Sequence, residues 1–132
     1  MEIKGFYQLK KAFVGFDDDF NNKYMDRDEV LKLTLKQKDD MVLIAMMFAR
    51  MEVEVTDTDL IFRFDPEKDE IAKKIAKGNK MELNDGKYST IKYAYKKKGK
   101  KYLVVSEDGE EEGEVEFKDN TFEFNYSTFE KI

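Results

Sequence analysis

From residue 87 onward the apolar residues return at every second position, and this period limits the fold more than any other feature of the chain. In YSTIKYAYK, Ile91, Tyr93 and Tyr95 alternate with Lys92, Ala94 and Lys96. In GEVEFKDNTFEFNYSTFEKI, Val115 and Phe117, then Phe122, Phe124 and Tyr126, alternate with Glu116, Glu123 and Asn125. Successive side chains of a strand point to opposite faces, so this is the pattern of antiparallel strands with one buried and one wet face. Turn residues separate them: Asn84-Asp85-Gly86, the lysine-rich stretch around Gly99, Asp108-Gly109 and Asp119-Asn120. Gly, Asn and Asp tolerate the positive φ that tight hairpins need. The spacing predicts strands near 87–96, 101–106, 113–118 and 121–130.

The first half is read more coarsely. Strands are expected at about 2–14, 29–36, within 41–56 and at 60–64, with a weak one through KMEL at 80–83. One helix is expected over about 66–77. Asp65 would cap it, Pro66 would take its first position, Glu67 and Asp69 favour its positive end, Lys73, Lys74 and Lys77 its negative end, and Gly78 would stop it. The polar stretch 15–29 reads as a loop or a frayed helix. Eight or nine short strands joined by hairpins must hide two edges, and closing the sheet on itself does so. The chain is therefore expected to form one domain, 1–132, an up-and-down antiparallel β-barrel of about eight strands with one short helix. The alternative is an α+β arrangement, an open antiparallel sheet packed on that helix.

MVLIAMMFA, residues 41–49, is the one apolar run without alternation. A membrane-crossing helix needs roughly 20 apolar residues, so no transmembrane segment is expected. Because the run leads into MEVEV, it reads as the upstream part of a long buried strand. Its methionines, with Met51, suit irregular space in a core or in a pocket.

Composition removes several functions. The chain has no His and no Cys, which excludes Ser-His and Cys-His nucleophiles, histidine or thiolate metal sites, and disulfides. No phosphate-binding glycine loop is present, and no cofactor or enzymatic activity is expected. Acids outnumber bases 29 to 24, which disfavours nucleic acid as a partner. No signal peptide is visible at the N-terminus, from which a cytoplasmic location is expected. Asp17, Asp19, Asn21, Lys23, Met25 and Asp28 occupy positions 1, 3, 5, 7, 9 and 12 of an EF-hand-like register, but Asn22 stands where Gly is needed and Asp28 where a bidentate Glu is needed. Calcium binding at 17–28 is the weakest of the functional readings. Five lysines between 96 and 101 read as a soluble hairpin tip, offset by seven acids between 107 and 116.

Three stretches resemble small bacterial lipocalin-like (calycin) domains: IKGFYQL, with Tyr7 where lipocalins carry a Trp; FRFDPEKDEIAKKIAKGNKMELNDGKY; and the closing FEFNYSTFEKI. The resemblance implies a β-barrel of mostly unknown function and, less directly, a small hydrophobic ligand. Tyr7, Phe13, Ile91, Tyr93, Tyr95, Phe122, Phe124 and Tyr126 are expected to point inward. The ligand reading uses Tyr7, Phe13, Met46, Phe48, Tyr93, Tyr95, Phe124 and Tyr126 as wall. Arg50 or Arg63 would pair with the carboxylate of a fatty-acid-like guest. The competing reading is a barrel filled by its own side chains that serves as a protein-interaction module.

Overall fold

The computed structural model describes residues 3–34, 36, 40–78 and 89–132. In chain order the elements are β1 (Gly5–Phe16), β2 (Asn22–Asp26), α1 (Arg27–Leu31), α2 (Asp40–Ala49), β3 (Met51–Val55), β4 (Asp59–Phe64), α3 (Glu70–Gly78), β5 (Ser89–Lys98), β6 (Lys101–Ser106), β7 (Glu111–Lys118), β8 (Thr121–Phe124) and β9 (Ser127–Lys131). Strands β1, β3, β4, β5, β6, β7, β8 and β9 form one antiparallel ring, closed where β9 returns to β1 in the register Tyr7↔Lys131 and Leu9↔Phe129. The chain is therefore mainly β, a closed eight-stranded barrel, as the alternation predicts; the open α+β sheet is not formed. β2 is a ninth strand outside the ring, paired with the far half of β1 at Lys11 to Phe16.

Paired residues share a face, which fixes the inside of the barrel. Val53↔Phe62, Phe62↔Ile91 and Phe122↔Phe129 all face inward, while Glu54, Ile61, Arg63 and Lys92 face outward. Leu9, Val53, Leu60, Phe64, Val104 and Phe129 have no accessible surface. Burying one such side chain is worth about 1.5–3 kcal/mol. One end of the ring carries the turns at 56–58, 99–100 and 119–120; at the other, α2 packs on β1 and leads into β3, and α3 follows β4.

Four sequence expectations need correction. Residues 41–49 are not strand but helix α2, and the strand proper begins only at Met51. An unbroken apolar run has no period to report, and Leu, Ala and Met are good helix formers. Among the described residues of 29–36 no strand forms: Arg27–Leu31 is the short helix α1, and β2 precedes it in what read as loop. The described residues thus hold three helices, not one. The strand 121–130 is two strands, broken at Asn125 and Tyr126, both at positive φ. Helix α3 starts at Glu70, not 66. The Asp65 carboxylate closes a turn by accepting from the Glu67 N–H at 2.9 Å, and Asp69 makes the cap by accepting from the Ala72 N–H at 2.6 Å. The expected strand at 80–83 lies outside the described residues.

Candidate functional site

The residues assigned to a ligand wall separate into three groups. Tyr7, Met46, Phe48, Tyr93, Tyr95 and Phe124 meet in the interior. Tyr7 is 1% exposed and its hydroxyl donates to the Ile3 carbonyl at 2.8 Å. Tyr95 donates to the Thr56 carbonyl and meets Tyr102 edge-on at 5.2 Å, roofing the turn end of the barrel. Met46 and Phe48 arrive from α2, with the Phe48 ring 5.6 Å from Phe129 and 6.0 Å from Phe62.

Phe13, Tyr126 and Arg63 lie outside that cluster. Phe13 is buried beneath the β1–β2 ribbon, its ring 5.4 Å from Phe16, 6.0 Å from Tyr24 and 5.3 Å from Tyr126. Phe16, Phe20 and Tyr126 are largely exposed, Phe20 at 87%. Arg63 faces outward and pairs with Glu54 across the β3–β4 ladder at 2.8 Å. Arg50 lies at the helical end: it is 5% exposed, reaches Asp69 through Nε at 3.1 Å, and donates through Nη1 to the Met46 carbonyl at 3.1 Å. Neither arginine offers an unengaged guanidinium to a guest carboxylate.

The interior rings touch across the barrel as well as along it. In a ring of eight strands β4 and β8 stand opposite, and Phe62 of β4 lies 5.6 Å from Phe124 of β8 and 5.7 Å from Phe129 of β9. Nearer the turn end, Tyr7 of β1 meets Phe122 at 5.1 Å and Phe117 of β7 at 6.3 Å. These are the edge-on and tilted separations that aromatic pairs prefer. Burial and the nearby Glu112 carboxylate push the Tyr93 hydroxyl above its ordinary value; burial first, then Tyr102, Asp57, Asp59 and Tyr7, does the same to Tyr95.

Sequence reasoning missed a feature in the wall. The β7–β8 ladder holds only Glu116↔Glu123, Phe117↔Phe122 and Lys118↔Thr121, because β8 ends at Phe124 and the chain turns away at Asn125. The preceding half of β7, residues 111–115, therefore has β6 on one side and no β8 ladder on the other. A register shift in β6–β7 between Gly113 and Glu111 leaves Glu112 as an extra, bulged residue. Beside this edge lies a cleft of about 560 Å³, lined by Lys101, Glu112, Glu114, Glu116 and Glu123 around Val115, Phe124 and Tyr126. The acidic run 110–116 was the available signal, read only as a counterweight to the lysines. One such pair does form, Lys98 to Glu114 at 3.4 Å.

The EF-hand-like register has no counterpart in space. Asp17 Oδ1 accepts from the Asp19 and Asn21 N–H groups at 2.9 Å each, and residues 22–26 are drawn out in β2. Among the described residues no group of three or more acids converges as a metal site, and no helix is long and apolar enough to cross a membrane. Compared with protein families, curated proteins and solved structures, the chain matches none.

Proposed function

We propose that the chain is a non-enzymatic, lipocalin-like barrel packed with its own side chains, acting through its outer surface as a protein-interaction module. The observation that carries this reading is the contact of Phe62 with Phe124 across the full width of the ring, at 5.6 Å. A fatty-acid-like guest would have to part these rings, at about 0.5–1.5 kcal/mol for each aromatic pair beyond the area lost. It would also find Arg50 and Arg63 already holding Asp69 and Glu54.

The outer surface, by contrast, carries exposed rings, among them Phe16, Phe20 and Tyr126. Phe16 and Tyr126 are 63% and 62% exposed, and each packs its ring against Phe13. Aromatic side chains of this kind are enriched at protein interfaces.

The test is native mass spectrometry of protein gently purified from cells, with displacement of a fluorescent fatty acid as a second readout. The expected result is the bare chain mass and no saturable displacement. A lipid retained at one molecule per chain would overturn the proposal and restore the ligand reading.

A further inference from the structure

The cleft beside β7 combines three things that rarely occur together on a closed barrel. It has a strand edge without a ladder over 111–115, the exposed ring of Tyr126 beside it, and walls formed by Glu112, Glu114, Glu116 and Glu123. Edges are a hazard that barrels normally abolish by closure, and an edge left open in one is an available template for another strand. Glu116 and Glu123 stand directly opposite each other in the β7–β8 ladder. Like charges so placed oppose the pairing that holds them. Only Glu114 of the four carries an ion pair among the described residues, a half-exposed one to Lys98.

Resting on the interaction-module reading, we propose that this cleft receives an extended, lysine- or arginine-bearing segment of another protein, which adds as a short strand to the open edge of β7. The occupant's charge follows from complementarity: four carboxylates meet the single cation Lys101 in the lining. Its conformation follows from the edge, along which alternate residues of 111–115 turn their main-chain groups toward the gap. Alternate side chains of an added strand point to opposite sides. One set would lie toward the exposed Tyr126 ring, and the other would reach Glu114, Glu116 and Glu123.

The experiment titrates the full chain with three synthetic peptides and follows backbone amide exchange. The first alternates lysine and valine, the second replaces lysine with glutamate, and the third is the first with every backbone nitrogen methylated. The lysine-valine peptide is expected to bind one-to-one and to slow amide exchange within 111–115, while the glutamate peptide does not bind. Methylation is expected to abolish binding, because a strand needs its donors whereas simple charge attraction does not. Glu123→Lys is expected to weaken binding by about tenfold without lowering the melting temperature, since it relieves the Glu116 repulsion. Equal binding of the methylated peptide, or protection elsewhere, would overturn strand addition. Self-association of the free chain, with the lysine-rich hairpin of a second copy in the cleft, would overturn a foreign segment as occupant. Absence of peptide binding in a chain that also carries no lipid removes this cleft and leaves the interaction module standing; a retained lipid removes the module itself.

Discussion

The Asp69 carboxylate accepts from the Ala72 N–H at 2.6 Å and from Arg50 Nε at 3.1 and 3.3 Å, so one side chain caps α3 and neutralises a guanidinium buried to 3% side-chain exposure. Asp69→Ala removes both, and should cost about 3–4 kcal/mol, most of it for the stranded Arg50 charge. Asp69→Asn keeps the capping oxygen and should lose about 1 kcal/mol less than the alanine. Urea midpoints compare the two, and equal losses would remove the cap from the account. A second residue reports on pH. The Tyr95 pKa is raised above 10.0 in the folded chain, so the fold keeps that proton longer than the unfolded state does. Its contribution is therefore fully present below pH 10 and declines as pH rises through the folded value. Tyr95→Phe should flatten this alkaline decline in melting temperature, at a neutral-pH cost of about 1 kcal/mol for the lost bond to Thr56. An unchanged slope between pH 9 and about 12 would count against the assignment. Neither role was legible in the sequence. Asp65-Pro66 is the stronger local signal for a helix start, and the pairing of Asp69 with Arg50 is tertiary and so leaves no local trace.

Helix α2 shows where pattern reading stops. Alternation located β5, β6 and β7 to within a few residues, because each has one wet face and so leaves a trace every second position. Residues 41–49 leave no such trace. Ala45, Met46, Phe48 and Ala49 are buried, while Ile44 on the other side is 42% exposed although equally apolar. Composition conceals the buried side, and only the packing of Phe48 against Phe62 and Phe129 defines it. Phe48→Ala should destabilise the chain by about 3–5 kcal/mol, whereas Ile44→Glu should change stability by less than about 0.5 kcal/mol. If thermal unfolding ranks them the other way, the buried side of α2 is misassigned. The β8–β9 break was hidden for a different reason. A two-residue turn with both residues at positive φ normally announces itself with Gly, and here Asn125-Tyr126 occupies it. Tyr126 accepts a backbone conformation that is costly for an aromatic residue, and its ring rests on Phe13 at 5.3 Å.

Closure of the barrel was legible from the number of strands and the need to hide their edges. The ring contacts across it were not, because whether eight strands enclose space or side chains depends on which rotamers meet at the centre. The gap beside β7 escaped for a related reason: a hairpin pattern gives strand order but not the length over which two strands stay paired. The seam of the barrel carries one further consequence, for kinetics. β1 and β9 lie at opposite ends of the chain, and the Phe13 N–H donates to Ser127 Oγ across 114 residues of sequence at 3.0 Å. The remaining ladders of the ring join residues no farther apart in sequence than Gly5 and Val55, so they can form before the ends meet. Ser127→Ala should therefore leave the refolding rate nearly unchanged and speed unfolding by about five- to tenfold, for a buried bond worth roughly 1 kcal/mol. Stopped-flow refolding and unfolding in urea separates the two rates, and a slowed refolding arm would place the seam inside the nucleus. With so distant a closure, refolding should take milliseconds to seconds, slow for a chain of 132 residues. Until the seam zips, both β1 and the last hairpin present bare edges, and that interval is when the chain is most exposed to pairing with its neighbours in a crowded solution.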